Sequence, residues 1–493
     1  MTFAFLSSSA EPMKILVTGA TGYIGGRLIP QLVKGGHEVR IFVRDAARVK
    51  GKRWIDEVQV SEGDLGDRES ITQACAGMDA AYFLVHAMYS GKDFAEKEQK
   101  FAENFVAAAA PVEKVIYLGG LQPKGDEVSD HLKSRELVGE ILAKNGNLTE
   151  FRAGPIIGSG SASFEMVRYL TERLPVMIVP RWVRNDVQSI AVRNVVEYLI
   201  AALDKEPLGV VEIGSDVLSF RGMMETFAEV RGLKRWIIPV PVLTPLLSGM
   251  WVGLITPVPN SLAVPLVEGI LHPVTADTSK ASENFPDIRP MSYREAVEIA
   301  VKKTAENATD TRWTDSLGDD GESYKFTDKD GLFKEIRTVE AKASPHSVFR
   351  SFTSIGGEKG WLAWSWAWKL RGLLDNLVGG PGLKRGRRNS SDLNVGEALD
   401  FWRVEDLVTD KLVLLRAEMK VPGKAWLKFE AVPKGNVTQL VQTAIFEPKG
   451  FLGVLYWYSL FPVHSSLFGQ MAERIALGAE AFESDMSKMP VTV

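Results

Sequence analysis

The chain has 493 residues, 45% hydrophobic and 24% charged, with 58 Lys and Arg against 62 Asp and Glu and a net charge of −4. At roughly 150 residues per domain this length suggests two or three packing units, and the composition excludes wholesale disorder and any global basic excess that would recruit nucleic acid. One cysteine, Cys75, excludes an intrachain disulfide and a cysteine-based zinc site, and six histidines without HExxH or ligand spacing (His37, His86, His131, His272, His346, His464) leave no expected metal site.

Residues 1–12 lack a basic n-region and an adequate apolar core, so they read as a flexible leader rather than a signal peptide, and a cytoplasmic location is expected. Strands and helices then alternate. Lys14–Thr18 is a short apolar run suited to a buried parallel strand. Gly25–Lys34 follows as a helix stopped by Gly35-Gly36. Glu38–Val43, Gln59–Glu62, Ala80–Val85 and Lys114–Leu118 read as further strands, with a helix over Asp93–Ala110. Strands separated by helix-length segments imply βαβ units and a doubly wound parallel sheet.

Between the first strand and helix stands Gly19-Ala20-Thr21-Gly22-Tyr23-Ile24-Gly25. Gly19 permits a tight turn, Gly22 lets backbone amides approach a pyrophosphate, and Gly25 lets the helix pack close to the strand. The helix N-terminus adds partial positive charge for the phosphates. After the second strand an acidic residue would bond the ribose 2′-hydroxyl of NAD. Here Arg44 comes first, with Asp45 next and Arg48 and Lys52 nearby. A guanidinium suits a 2′-phosphate, so NADP(H) is preferred and NAD(H) stays open through Asp45. Asp64, followed by Leu65 at the end of the third strand, either faces the adenine or caps a loop.

The glycine turn, the Arg after the second strand and Gly63-Asp64-Leu65 together resemble the atypical and extended short-chain dehydrogenase/reductases, the NmrA-like and epimerase-like branch. Two later segments extend the resemblance over about residues 13–304. Phe151–Gly158, containing Pro155 and Ile156, is similar to a segment that in the family lies beside the nicotinamide. Gln188–Val195 is similar to the segment that returns to the sheet. The resemblance also implies a substrate subdomain from about Phe164 onward.

The family's Tyr-x-x-x-Lys pair is missing. None of the ten tyrosines has Lys four residues on, and the matching place reads His131-Leu132-Lys133-Ser134-Arg135. The fifth strand ends Leu118-Gly119-Gly120, so Gly119 stands where the family has Ser or Thr. In one reading His131 is an acid/base kept neutral by Arg135 one helical turn away, with Arg135 also holding ribose or substrate. In the other, the chemistry is lost and the fold binds or senses NADP(H). His86, followed by Ala87 at the end of the fourth strand, points to the cofactor edge and is a second candidate.

Trp236 to Val267 carries no charged residue, long enough for a membrane span, but six prolines interrupt it. It reads as buried core or as a surface facing lipid or a greasy substrate. Residues 305–334 are polar and turn-rich and read as a linker. Beyond them the pattern changes. Ile336–Ala341, Gly396–Glu405, Leu412–Glu418, Ala425–Pro433 and Thr438–Glu447 read as strands, with a short helix opened by Ser344-Pro345 and a long one over Ser465–Phe482. That order over residues 335–490 resembles the START-like helix-grip fold, attached here to a reductase domain as in bacterial proteins whose C-terminal half has no assigned function.

Seven of twelve tryptophans lie in this half, and Trp361, Trp364 and Trp368 have the spacing of one helix face. They are core or the wall of a pocket for a hydrophobic ligand. Lys384–Arg388 is a solvated basic loop or an anionic-lipid contact, and Phe451–Phe461 adds to the membrane-surface alternative. The expected partners are a hydrophobic small-molecule substrate and peripheral membrane, not nucleic acid. Oligomeric state is open.

Overall fold

A computed structural model describes residues 11–49, 52–86, 94–123, 129–240, 260–305, 324–329, 331–356 and 395–488, together with Ser248, Trp251, Val252, Ile255, Thr256, Val258, Trp361 and Leu393. Ala87, Trp364, Trp366, Trp368 and Lys384–Arg388 lie outside the described residues, as does most of the expected linker. The chain divides into two units, 1–318 and 319–493.

The first unit is built on β1 (Lys14–Thr18), α1 (Gly25–Lys34), β2 (Glu38–Val43), β3 (Gln59–Glu62), α2 (Arg68–Cys75), β4 (Ala80–Phe83), α3 (Phe94–Ala108), β5 (Lys114–Gly120), α4 (Asp130–Leu142) and β6 (Leu148–Ala153). The short β7 (Ile156–Ile157), α5 (Ala162–Arg173), β8 (Val176–Pro180), β9 (Asp186–Gln188), β10 (Ile190–Ala191), α6 (Val192–Ala201), β11 (Gly209–Ile213), β12 (Val217–Ser219), α7 (Phe220–Val230) and β13 (Trp236–Val240) follow. Then come α8 (Asn260–Glu268), α9 (Ser279–Asn284) and α10 (Tyr293–Ala305).

Seven strands form one sheet in the order β11-β6-β5-β4-β1-β2-β3, every pair parallel. Parallel strands buried on both faces need apolar side chains in both directions, and β1 supplies them. Ile15 and Val17 join Leu28, Ile29 and Leu32 of α1 and Leu199 of α6 in one core. Leu16 joins Ile71, Phe105 and Val138 in the core on the opposite face. Strand order reverses between β1 and β4, which opens a crevice at their C-terminal ends. β4 stops at Phe83 rather than Val85, so Leu84, Val85 and His86 leave the sheet there as loop. β5 runs on through Gly120, paired with β6.

The second unit has β14 (Tyr324–Lys329), β15 (Leu332–Ala341), α11 (Pro345–Thr353), β16 (Ala398–Leu399), β17 (Trp402–Val408), β18 (Leu412–Ala417), β19 (Gly423–Lys434), β20 (Val437–Pro448) and α12 (Gly450–Lys488). Its seven-stranded antiparallel sheet runs β14-β15-β20-β19-β18-β17-β16. Leu467, Phe468, Met471, Ile475 and Ala479 of α12 share a core with Leu415, Leu427, Phe429 and Leu440 of the sheet. A long helix laid on a curled antiparallel sheet is a helix-grip-like arrangement.

Three local readings change here. Residues 324–329, inside the expected linker, pair along their whole length with β15 across a turn in which Gly331 has φ +75°. Gly396–Glu405 is two strands rather than one, because Asp400 takes φ +53° between them. The final helix starts at Gly450 and passes through Pro462. Proline costs it a backbone hydrogen bond, but Val454 and Trp457 bury themselves against Phe333 and Phe446, and that packing holds the first turns. Trp361 is core: it is buried, stacked on Phe401, and its Nε1 donates to Asp400 Oδ2 at 2.9 Å.

Candidate functional site

The glycine turn sits at the crevice. Thr18 is buried at the end of β1. Its Oγ1 donates to the Tyr82 carbonyl (3.0 Å) and accepts from Leu84 N (3.3 Å), which ties the ends of β1 and β4 together. Gly19 then turns at φ +77°, and a Cβ there would lie 2.6 Å from the Leu84 carbonyl oxygen. A Cβ on Gly25 would lie 2.4 Å from the Gly19 carbonyl oxygen. Both glycines are therefore demanded by close backbone approach. The first turn of α1 has no side-chain cap and no acidic residue, so its positive end carries no built-in carboxylate. A pyrophosphate fits such a turn. Tyr23 and Arg27 fix the neighbouring loop, with Arg27 Nη2 donating to the Ser159 carbonyl at 2.8 Å.

Arg44 follows β2, exposed and without a hydrogen-bond or ion-pair partner among the described residues. Asp64 is exposed, and its Oδ1 accepts from Gly66 N at 2.6 Å, which caps the loop. Leu65 is buried, and its carbonyl accepts from Asn104 Nδ2 at 2.8 Å. Pro155 and Ile156 join β10: the Pro155 carbonyl accepts from Ile190 N at 3.1 Å, and Ile156 pairs with Ile190. Gly154 permits this approach, since a Cβ there would lie 2.1 Å from the Gln188 carbonyl oxygen.

His86 and His131 come together at the mouth of the crevice. Ser129 caps α4 by accepting from Leu132 N, which places His131 in the first helical turn. The two imidazoles stack with centroids 4.9 Å apart. His86 Nδ1 is hydrogen-bonded to Glu98 Oε1. Glu98, buried on α3, also accepts from Ser134 Oγ at 2.6 Å. Arg135 donates to the Leu118 carbonyl and lies over the Tyr117 ring, 4.9 Å from its centroid. It thus grips the end of β5. His86 Nε2 and His131 Nδ1 are buried with no hydrogen-bond partner among the described residues. An unsatisfied buried nitrogen costs about 1–3 kcal/mol, which makes this pair the candidate place for a ligand at the crevice.

Charge follows this geometry. Burial, His86 and Arg135 push His131 down to about 3. Burial and Arg135 also lower His86, against the pull of Glu98. Burial opposes ionisation of Glu98, but His86, Arg135 and Ser134 outweigh it and hold the carboxyl at about 2. Near neutral pH the site holds two neutral imidazoles beside a carboxylate and a guanidinium.

Glu98 and Ser134 are not among the residues singled out by motif. Glu98 lies on the buried stripe of α3 with Ala102 and Phe105, and an acid on an apolar stripe is the signal that marks it. Gly119 has a structural reason. A Cβ there would lie 2.7 Å from Glu150 Oε1, and one on Gly139 would lie 2.4 Å from Glu150 Oε2. The buried Glu150, ion-paired with Arg152 at 2.8 Å, fills the space between β5 and α4. A hollow of about 180 Å³ lies at the other edge of the sheet, lined by Lys14, Glu38, Arg40 and Gln59, away from this chemistry. Among the described residues no group of three His, Cys, Asp or Glu could hold a metal ion, and no helix is long and apolar enough to cross a membrane.

Residues 19–149 match a family model described as NAD(P)H-binding, and residues 329–471 match one described as a protein of unknown function, DUF2867. Sterol demethylase protein B of Methylococcus capsulatus is 33% identical over 126 residues, 23% of this chain and 38% of that protein. Isoflavone reductase homolog P3 of Arabidopsis thaliana is 38% identical over 87 residues, 16% of this chain and 28% of that protein. The chain thus spans well under half the length of these two relatives. Ceramide reductase of Caulobacter vibrioides is 26% identical over 237 residues, 46% of this chain and 73% of that protein. Among solved structures, Bordetella bronchiseptica WbmG in complex with NAD aligns with a TM-score of 0.48 at 14% identity, covering 62% of this chain and 98% of that one. The glycine turn, the strand order and the family match agree on a Rossmann-type NAD(P)H-binding domain in the N-terminal unit, and the helix-grip-like second unit carries the match to a family without known function.

Proposed function

We propose that this oxidoreductase uses NADP(H) to interconvert an apolar carbonyl or enone compound and its reduced form, with His131 in place of the family's tyrosine. The observation that carries the reading is the pair of stacked, neutral imidazoles beside the glycine turn, whose buried nitrogens His86 Nε2 and His131 Nδ1 have no partner among the described residues. The cofactor supplies or accepts hydride. His131 serves the substrate oxygen. As a neutral ring it donates an N–H hydrogen bond to the oxygen on which negative charge develops as hydride adds to carbon; the alkoxide then takes its proton from water, and in oxidation that proton returns to water while the ring holds the oxygen. Glu98 holds His86 by Nδ1, and His86 supports the His131 ring from its face. Burial, with His86 and Arg135, keeps the ring neutral, and Arg135 anchors α4 to β5.

Arg44 supports the choice of NADP(H), because its exposed guanidinium stands at the end of β2 with no partner among the described residues. The names of the similar proteins, a sterol demethylase component and a ceramide reductase, support an apolar substrate. A second reading, a sensor that binds NADP(H) without turnover, draws on Arg135. In this chain it is engaged by the Leu118 carbonyl and the Tyr117 ring. Stopped-flow measurement of NADPH oxidation across a panel of hydrophobic ketones and enones tests the choice. Tight NADPH binding without turnover of any compound favours the sensor.

A further inference from the structure

Three strand pairs of the first unit stand apart from the large sheet, and one of them is β8 with β13. β8 and β13 pair in parallel, with Trp236 opposite Val176 and Ile238 opposite Ile178. Side chains alternate along a strand. Met177 and Ile237 are buried, so these four apolar residues share the outer face. Val176 is 48% exposed, Ile178 61%, Trp236 71% and Ile238 46%. A scattered exposed apolar residue is ordinary. Four that are mutual cross-strand and i, i+2 neighbours form one patch, and contiguous patches beyond a few hundred Å² mark interaction surfaces.

Charge surrounds this patch at both ends. Lys234 precedes Trp236, and Arg181 and Arg184 follow Pro180. All three are exposed and have no hydrogen-bond or ion-pair partner for their side chains among the described residues. Of the acids near in sequence, Asp186 is exposed, Glu172 is engaged by Arg168 and Arg231, and the exposed Glu229 is engaged by Arg294. An apolar centre with a free tryptophan and a cationic rim is complementary to a bilayer interface, where Trp sits at headgroup level and Lys and Arg meet anionic lipid. A second copy of the same face would bring like charges together.

We infer that the outer face of β8 and β13 docks the protein on an anionic membrane surface, with Trp236 and Ile178 entering the interface and Arg181, Arg184 and Lys234 meeting lipid phosphates. This does not depend on the catalytic reading. It places an apolar contact on the stretch from Trp236 that carries no charge.

Flotation of the full chain with vesicles tests it. Vesicles of phosphatidylcholine mixed with phosphatidylglycerol are expected to carry the protein upward, less so at high salt, and phosphatidylcholine alone to carry little. The bound fraction is expected to fall about tenfold in Trp236→Ser with Ile178→Ser, and severalfold in Arg181→Ala with Arg184→Ala and Lys234→Ala. NADPH binding by each variant checks that it is folded. Val176→Ser with Ile238→Ser is the second pair if the first fails that check. No flotation, or flotation indifferent to these substitutions, overturns the inference. So does a concentration-dependent dimer that the same substitutions abolish, which would assign the face to a second copy.

Discussion

The ring of His131 stacks on that of His86, with centroids 4.9 Å apart and planes 29° from parallel. Neither ring gains from a proton there. His131 is held at about 3 by burial, His86 and Arg135. In the unfolded chain it takes a proton near pH 6.5. A folded-state value below the unfolded one means that the unfolded state binds more protons between the two, so stability rises with pH across roughly 3 to 6.5. From pH 6.5 down to 5 this histidine should cost about 2 kcal/mol of stability. Urea unfolding at both values checks it. His131→Gln should flatten the dependence, and an unchanged slope would mean that the ring is not buried neutral.

Glu98 is the carboxylate on which the pair rests. Replacing it with Gln removes the charge that favours protonated His86, so the already lowered His86 value should fall further. The loss of charge-assisted hydrogen bonds should cost about 1.5–3 kcal/mol. NMR titration of the His86 ring separates this from a merely structural loss, which would leave its titration where it was.

Gly25 faces the Gly19 carbonyl at a distance no side chain tolerates. Gly25→Ala should force the helix start away from the turn. NADPH affinity should then drop at least about tenfold, equivalent to 1.4 kcal/mol. Fluorescence titration with NADPH measures this. Gly146→Ala is a useful control: Gly146 has φ +72° and meets no neighbour within 4 Å, so the substitution should lower stability and leave affinity alone.

Arg44 carries the cofactor preference. Arg44→Ala should weaken NADPH binding about 10- to 100-fold and leave NADH binding nearly unchanged. Calorimetric titration with both nucleotides decides it. Equal losses for the two would assign the ribose contact to another group.

Much of the nucleotide domain was legible because its signals are local. A five-residue apolar strand, a glycine turn and a ten-residue helix are adjacent in sequence, and each glycine answers to a contact within that unit or with the next strand. His131 and Arg135 were legible as the residues standing at the places of a missing pair. Glu98 was not, because its bonds run to His86 and Ser134, 12 and 36 residues away, and helical periodicity says that a position is buried without saying which polar group waits there. Gly119 stands where the family has Ser or Thr, and what the sequence does not show is that it also makes room for Glu150 from the next strand. In the second unit, β14 hid among charged residues, since its pairing with β15 rather than its own composition makes it a strand.

The most direct test is turnover. With hydrophobic ketones in excess, the wild-type chain should oxidise NADPH, and His131→Gln should lower the single-turnover rate by about 10²–10⁴-fold while NADPH affinity stays within about twofold. A rate indifferent to His131, or tight NADPH binding with no turnover of any ketone or enone, would contradict the account.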